Sequence, residues 1–261
     1  MSLNCAVQAI SIAAYAARVA GARSGRVGTA MSLYNLFVTA SRFATMLYSP
    51  MLGALSDRAS QTGGDGAFLW QLRAIVIAGT AGMILGAAAI PIFIAVYLRG
   101  IRAFERTGNV VKAVLRLMRP RTALGVVKEM LAGGEKGVFR FDFRTVPKDV
   151  LILNTMVSAI FAVGVVSAAY ASVLNVAAAR TALLSSGLVN GAAVIAYNVV
   201  VDPASALMTD QAARGERTLD DVRALVTGLA ITAVLGFLIS QALLIPAAFV
   251  IERAALVFTS R

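Results

Sequence analysis

The chain has no histidine and a single cysteine, Cys5. Without histidine there is no Ser-His-Asp triad, no phosphohistidine and no imidazole-ligated metal. One thiol can form neither an intramolecular disulfide nor a cysteine-rich metal knuckle. Asn4 sits where a lipidation signal wants a small residue, so Cys5 is read as incidental. Charge is also scarce: only 14% of the 261 residues are Asp, Glu, Lys or Arg, with 13 acids against 24 bases. No pair of carboxylates falls within an apolar run. There is no P-loop, no glycine-rich dinucleotide fingerprint and no nucleophile elbow. These absences make an enzyme the weakest class and call for no metal and no cofactor.

What remains is apolar surface. Hydrophobic residues make up 59% of the chain and the mean hydropathy is +0.79, which fits a polytopic membrane protein and not a soluble domain. A hydrocarbon core about 30 Å thick needs roughly 20 residues of helix. Spans are expected at 3–21, 28–55, 72–98, 150–177, 182–206 and 223–250. No basic segment precedes the first apolar run, so residues 3–20 are read as a first span and not as a cleaved signal. Pro50, Pro91, Pro203 and Pro246 lie inside or near span ends, where neighbouring helices or water can satisfy the freed carbonyls.

The net charge of +11 is unevenly placed. Twelve of the bases lie between Arg99 and Lys148; Arg18, Arg23 and Arg26 follow span 1, and Arg214, Arg217 and Arg223 follow span 5. The opposite side carries Arg58, Arg73, Arg180, Arg253 and Arg261. Positive-inside bias then puts the large insert in the cytoplasm and both termini outside. It points to anionic lipid or phosphate, and not nucleic acid, as the partner of the positive charge. Within the insert, residues 101–149, Val111, Val114, Leu115 and Met118 share a helical face flanked by Lys112, Arg116 and Arg119, and Pro120 divides the stretch. That pattern suits short helices lying in the membrane interface; a soluble helical hairpin is the plainer reading.

The chain also repeats itself. RAIVIAGTAGMILG from Arg73 is echoed by RALVTGLAITAVLG from Arg223, and LNCAVQAI from Leu3 by LNTMVSAI from Leu153. Ala13-Ala14-Tyr15 recurs as Ala168-Ala169-Tyr170, Pro50 with Asp57 as Pro203 with Asp210, and Ile90-Pro91 as Ile245-Pro246. The order is kept, so a duplication is expected. Each unit, 1–100 and 150–261, then holds three spans. Three is odd, so the second unit crosses the membrane upside down, and substrate sites in such folds lie near the midplane between the repeats. The expected fold is thus all-α: six transmembrane helices as two inverted three-helix repeats, with the basic insert between them.

Polar residues recur at helical spacing inside these spans. Span 1 carries Asn4, Gln8, Ser11, Tyr15 and Arg18; span 2 carries Ser32, Asn35, Thr39, Arg42, Thr45 and Ser49; span 4 carries Asn154, Ser158, Ser172 and Asn175; span 5 carries Asn190, Tyr197, Asn198, Asp202 and Ser205. Facing lipid, such groups go unsatisfied, so these faces are expected to point inward. Serine and threonine do this commonly as helix glue. Arg42 needs more, since a mid-span arginine costs roughly 2.5–3.5 kcal/mol on insertion scales. Asp202 is a candidate partner for it; a wet cavity or an anionic ligand would serve as well. Arg18, Arg23 and Arg26, near a helix end, can snorkel to the surface.

The stretch AYAARVAGARSGRVGTAMSLYNLFVTASRFATMLYSPMLGALSD (14–57) resembles the Amj family of lipid II flippases, the alternate to MurJ in bacterial cell-wall synthesis. The resemblance lies in Arg18, the Gly21-x-Arg23-x-Gly25-Arg26 turn, Ser32-Leu33-x-Asn35, Ser41-Arg42 and Pro50-x-Leu52-Gly53. VVVDPASALMTDQAARGE (199–216) is similar to the family's proline-containing stretch after the fifth span, and length and hydropathy fit over nearly the whole chain. The resemblance implies movement of lipid II, an undecaprenyl-pyrophosphate-linked disaccharide-pentapeptide, across the bacterial cytoplasmic membrane; it carries over no catalytic residues. A pyrophosphate needs cations in a wet cavity, and arginine suits bidentate phosphate contact. Arg42 is expected as the deep contact, Arg18, Arg23 and Arg26 as headgroup capture on the cytoplasmic side, and Arg180 on the release side. Asn35, Asn190 and Asp202 are expected as further polar lining. Six spans make a small cavity for so large a headgroup, so a homodimer is a further expectation. The competing readings are an ion-coupled or small-solute permease using Arg42 and Asp202, and a structural subunit in which they only lock helices.

Overall fold

Long apolar runs broken by short glycine-bearing turns give long helices here. The structure, a computed structural model, describes residues 1–63, 65–108, 112 and 137–259. Its helices are α1 (Ser2–Ala13), α2 (Ala16–Ser24), α3 (Val27–Thr62), α4 (Asp65–Thr107), α5 (Lys148–Leu174), α6 (Ala179–Ala196), α7 (Asp202–Ala213) and α8 (Leu219–Thr259). A 3₁₀ turn, Val176–Ala178, precedes α6, and a π turn, Tyr197–Val201, joins α6 to α7. There is no strand among the described residues. Gly25 and Gly63 end α2 and α3 in left-handed conformation, at φ 67° and 63°, where a side chain would be strained.

Five helical stretches are long and apolar enough to cross a membrane: Ser2–Ser24, Gly66–Thr107, Lys148–Leu174, Val176–Ala213 and Leu219–Phe258. The chain is a multi-pass membrane protein. The second expected span forms a helix too, α3, 36 residues long, but its serines, threonines, Asn35 and Arg42 keep it out of that apolar set. Helix α4 runs on past the expected third span, to Thr107. Its expected interfacial helices around Val111–Met118 and Pro120 lie outside the described residues. Residues 138–147 form an irregular strap on the start of α8: Val138 is buried, the Arg140 N–H donates to Thr227 Oγ1 at 3.1 Å, and Arg140 pairs with Asp220 at 3.1 Å.

Both halves are packed alike. In the first, α1 and α4 run parallel. Asn4 Nδ2 donates to the Ile75 carbonyl at 2.9 Å, and further along a Cβ on Gly82 would sit 2.1 Å from Cys5 O and one on Gly86 2.2 Å from Ala9 O. In the second, α5 and α8 run parallel. Asn154 Nδ2 donates to the Leu229 carbonyl at 3.0 Å and to Thr232 Oγ1 at 2.8 Å. A Cβ on Gly236 would meet Thr155 O at 2.5 Å, and further on Ser167 Oγ donates to Leu244 O at 2.9 Å. The helix between each parallel pair runs back along it. On α3, Met31 and Tyr34 lie against Arg18, whereas Arg42 and Thr45 lie with Gln8 and Ser11.

Asn154 is fully buried, and its amide is the polar clasp of the second pair. Asn154→Val is expected to cost about 1–2 kcal/mol, the value of two interhelical bonds in a membrane protein, read as a lower unfolding midpoint in detergent. An unchanged midpoint would show that Asn154 Oδ1, buried with no hydrogen-bond partner among the described residues, offsets what the two donated bonds contribute.

Candidate functional site

A cavity of about 130 Å³ lies between the two halves. From the first half come Val7, Gln8, Ser11 and Tyr15 on α1 and its C-terminal turn, Tyr34, Val38, Ser41, Arg42 and Thr45 on α3, and Met83 on α4. From the second come Val157, Ser158 and Phe161 on α5, Val194 on α6, Tyr197 and Phe237. Met83, Phe161 and Phe237 each fall near the middle of a long helix, so the cavity sits midway along these helices. Its walls are mostly apolar on the α4, α5 and α8 side, where Ser158 is polar, and more polar on the α1 and α3 side, with Gln8, Ser11, Ser41, Arg42 and Thr45.

Behind Tyr34 and Tyr197 of the cavity wall lies a buried ion pair built on Arg18. Arg18 is fully buried. Its Nη2 donates to Asp202 Oδ1 at 2.7 Å, and its guanidinium carbon stands 5.3 Å from the centre of the Tyr34 ring. Tyr34 and Tyr197 share a hydrogen bond at 3.4 Å between their hydroxyls. The backbone prepares this contact from both sides. The helix tightens at Tyr15 and Arg18, whose N–H groups bond three residues back, to Ile12 O and Tyr15 O. Opposite, the π turn Tyr197–Val201 widens the helix just before Asp202. Pro203 has no N–H and so leaves the Val199 carbonyl unclaimed, which favours a widened turn there.

The expected partnership of Arg42 with Asp202 is corrected: Asp202 belongs to Arg18. Arg18 does not snorkel; it is the deep, paired arginine. Arg42 stands on the cavity wall and is exposed, with no hydrogen bond or ion pair among the described residues. The expected inward face of span 1 is found: Asn4, Gln8, Tyr15 and Arg18 are buried. That of span 2 is not, for Ser32, Asn35, Thr39, Arg42 and Ser49 are exposed. The helix instead buries Leu33, Tyr34, Ser41 and Leu52. Packing Tyr34 and Leu52 against the other helices gains more van der Waals contact than packing the smaller serine and threonine side chains.

The other expected site residues lie apart from this cavity. Arg23, Arg26 and Arg180 are exposed, Arg26 pairing with Glu105 at 2.7 Å. Asn190 is half-buried with Oδ1 unpartnered among the described residues; it packs on Gly164, where a Cβ would overlap it. Sequence reasoning missed Tyr34 and Ser41. Ser41 is 5% exposed, and its hydroxyl has no partner among the described residues. The signal was a second stripe on α3, Tyr34, Val38, Ser41 and Thr45, hidden by the more polar one beside it.

Comparison with known proteins agrees across the length of the chain. The family model named Amj, described as "Alternate to MurJ", matches residues 3–255. A Bacillus subtilis (strain 168) protein, lipid II flippase Amj, is 31% identical over 253 residues, covering 94% of this chain and 91% of that protein. No solved structure matches.

Proposed function

We propose, from the premise that this chain belongs to the Amj family, that it moves lipid II from the inner to the outer leaflet of the bacterial cytoplasmic membrane. The observation that carries the reading is the cavity midway along the helices between the halves, walled by Arg42 with no partner of its own among the described residues. A disaccharide-pentapeptide does not fit about 130 Å³. The pyrophosphate enters, Arg42 binds it, and the bulky head and the lipid tail stay outside, through the gap between α3 and α6. Arg18 is held by Asp202 behind the cavity wall and does not act as a ligand. Arg23 and Arg26 gather headgroups on the cytoplasmic side, and Arg180 faces release; Asn35 and Asn190 are polar contacts outside the cavity. Anionic lipids gather at the basic insert, and a second copy of the chain enlarges the path.

The architecture proposed with this function has six spans in two inverted repeats, 1–100 and 150–261, with the insert 101–149 cytoplasmic and both termini outside. Two supports favour it. Since α1 and α4 run parallel, the chain must return between them, and α3 is the returning element. The close-contact glycines Gly86 and Gly236 are the last residues of the two echoed segments, and they press on Ala9 and on Thr155 and Ala159 in the two LN-initiated segments.

The test uses cells in which this protein is the sole lipid II flippase, with lipid II on the outer leaflet quantified for wild type and Arg42→Ala at equal membrane levels. Wild type is expected to expose lipid II. Arg42→Ala is expected to lower exposure by about tenfold or more, since a charge-assisted hydrogen bond contributes about 1.5–3 kcal/mol. A folded wild type that exposes none would overturn the substrate, and full exposure by the variant would overturn the role of Arg42.

A further inference from the structure

Helix α3 carries an exposed polar stripe. Ser32, Asn35, Thr39, Arg42 and Ser49 all face outward. From Ser32 to Ser49 the helix rises about 25 Å at about 1.5 Å per residue, close to the roughly 30 Å of a hydrocarbon core. The neighbouring arc of α3 is ordinary lipid-facing surface: Leu36, Phe43, Leu47 and Met51 are exposed. A mid-span arginine turned to hydrocarbon is costly, so something polar must cover the stripe.

The stripe joins the cavity. Arg42 and Thr45 form part of the cavity wall, and the buried Ser41 hydroxyl, unpartnered among the described residues, lies on the same wall. The remaining hydroxyls are nearly self-sufficient. Ser32 Oγ donates to Gly28 O, Thr45 Oγ1 to Ser41 O and Ser49 Oγ to Thr45 O. Each still offers an acceptor, yet none binds strongly. One firm cationic contact at mid-depth between weak polar steps is what conduction asks for: a ligand must be bound well enough to enter and weakly enough to leave.

The geometry points to a second activity: α3 is an open track along which lipid phosphate headgroups in general cross the bilayer, so the protein scrambles anionic phospholipids passively and in both directions. The headgroup slides along Ser32, Asn35, Thr39, Arg42 and Ser49 while the acyl chains remain in the membrane. The inference rests on the proposal that α3 spans the bilayer; it does not require that lipid II be the physiological substrate.

The experiment reconstitutes the purified chain into phosphatidylcholine–phosphatidylglycerol vesicles with a trace of head-labelled fluorescent phosphatidylglycerol, with no ion gradient and no nucleotide. Dithionite then bleaches the label. In protein-free vesicles bleaching stops at the outer leaflet; with wild type it is expected to run towards completion. Asn35→Leu/Thr39→Leu/Arg42→Leu, which makes the helix more lipid-soluble and so favours its insertion, is expected to slow the inner-leaflet phase by about tenfold or more. Leu36→Ala/Leu47→Ala, on the neighbouring arc, is expected to leave it unchanged. Wild-type vesicles that bleach like protein-free ones, while the same protein exposes lipid II in cells, would overturn scrambling and leave the flippase reading intact. Equal rates for the stripe variant and wild type would overturn the track. Efficient homotypic cross-linking of Thr39→Cys in a Cys5→Ala background would also overturn it, by showing a second copy seated on the stripe.

Discussion

Asp202→Ala is expected to lower the stability of this protein far more than Arg18→Leu does, although the two residues form one ion pair. The asymmetry follows from burial. The Arg18 side chain is 0% exposed and that of Asp202 is 38% exposed. Removing Asp202 leaves a guanidinium sealed in the core among neutral groups, with the Tyr34 ring and Met31 Sδ, at 3.9 Å, beside it. Its Nε has no partner even in the intact protein, among the described residues. An uncompensated buried charge costs about 3–5 kcal/mol, and the contact with the tyrosine face, already made in the intact protein, returns none of it. Removing Arg18 leaves a carboxylate that is not sealed in the core, at 38% exposed, so the loss of its partner costs less. The double variant Arg18→Leu/Asp202→Leu buries no charge and is expected to recover most of the stability lost in Asp202→Ala. The measurement is the thermal unfolding midpoint of each purified variant in one detergent, with its amount in membranes as a check. Equal losses in the two single variants would mean that water or another group reaches Arg18 once Asp202 is gone.

Much of this cluster was legible in the sequence, but not its pairing. The periodicity of Asn4, Gln8, Tyr15 and Arg18 marked one face of the first helix, and that face is the buried one. Helix existence followed from apolar run length, since each run near 20 residues can satisfy its own backbone only as a helix. Partnership is another matter. Arg18 and Asp202 are 184 residues apart in the chain, and nothing local distinguishes Arg18 from Arg42 as the owner of Asp202. The outward turn of the α3 stripe was illegible for a different reason. Spacing shows which residues share a face but not which face is covered, and on α3 two polar stripes lie side by side. Tyr34 and Leu52 supplied the volume that decided the burial. The interfacial helices expected within the insert fall outside the described residues.

Close backbone packing makes the glycines of the echoed segments sensitive to any added side chain. An alanine at Gly82 would place its Cβ 2.1 Å from Cys5 O, and one at Gly86 would lie 2.2 Å from Ala9 O. These contacts are with backbone carbonyls, which cannot rotate away as a side chain can. Helix α1 must therefore move off α4, and with it goes the Asn4 bond to Ile75 O. Forced separation of a packed pair costs about 1–3 kcal/mol for one methyl group, and valine at either position costs more. At Gly191 on α6 an added Cβ meets nothing within 4 Å, so Gly191→Ala is expected to be neutral or to stabilise by up to about 1 kcal/mol through helix propensity. Gly236→Ala, whose Cβ would stand 2.5 Å from Thr155 O, is expected to resemble Gly86→Ala, because it fills the equivalent seam between α5 and α8. Unfolding midpoints of the four alanine variants in detergent test the set. A fall at Gly86 without one at Gly236 would show that the two parallel pairs are not built alike, and would remove the packing support for a duplicated fold. Falls at both, with Gly191→Ala unaffected, would give the Leu-Gly endings of the two echoed segments their physical cause: each glycine lets the third helix of its unit lie against the backbone of the first.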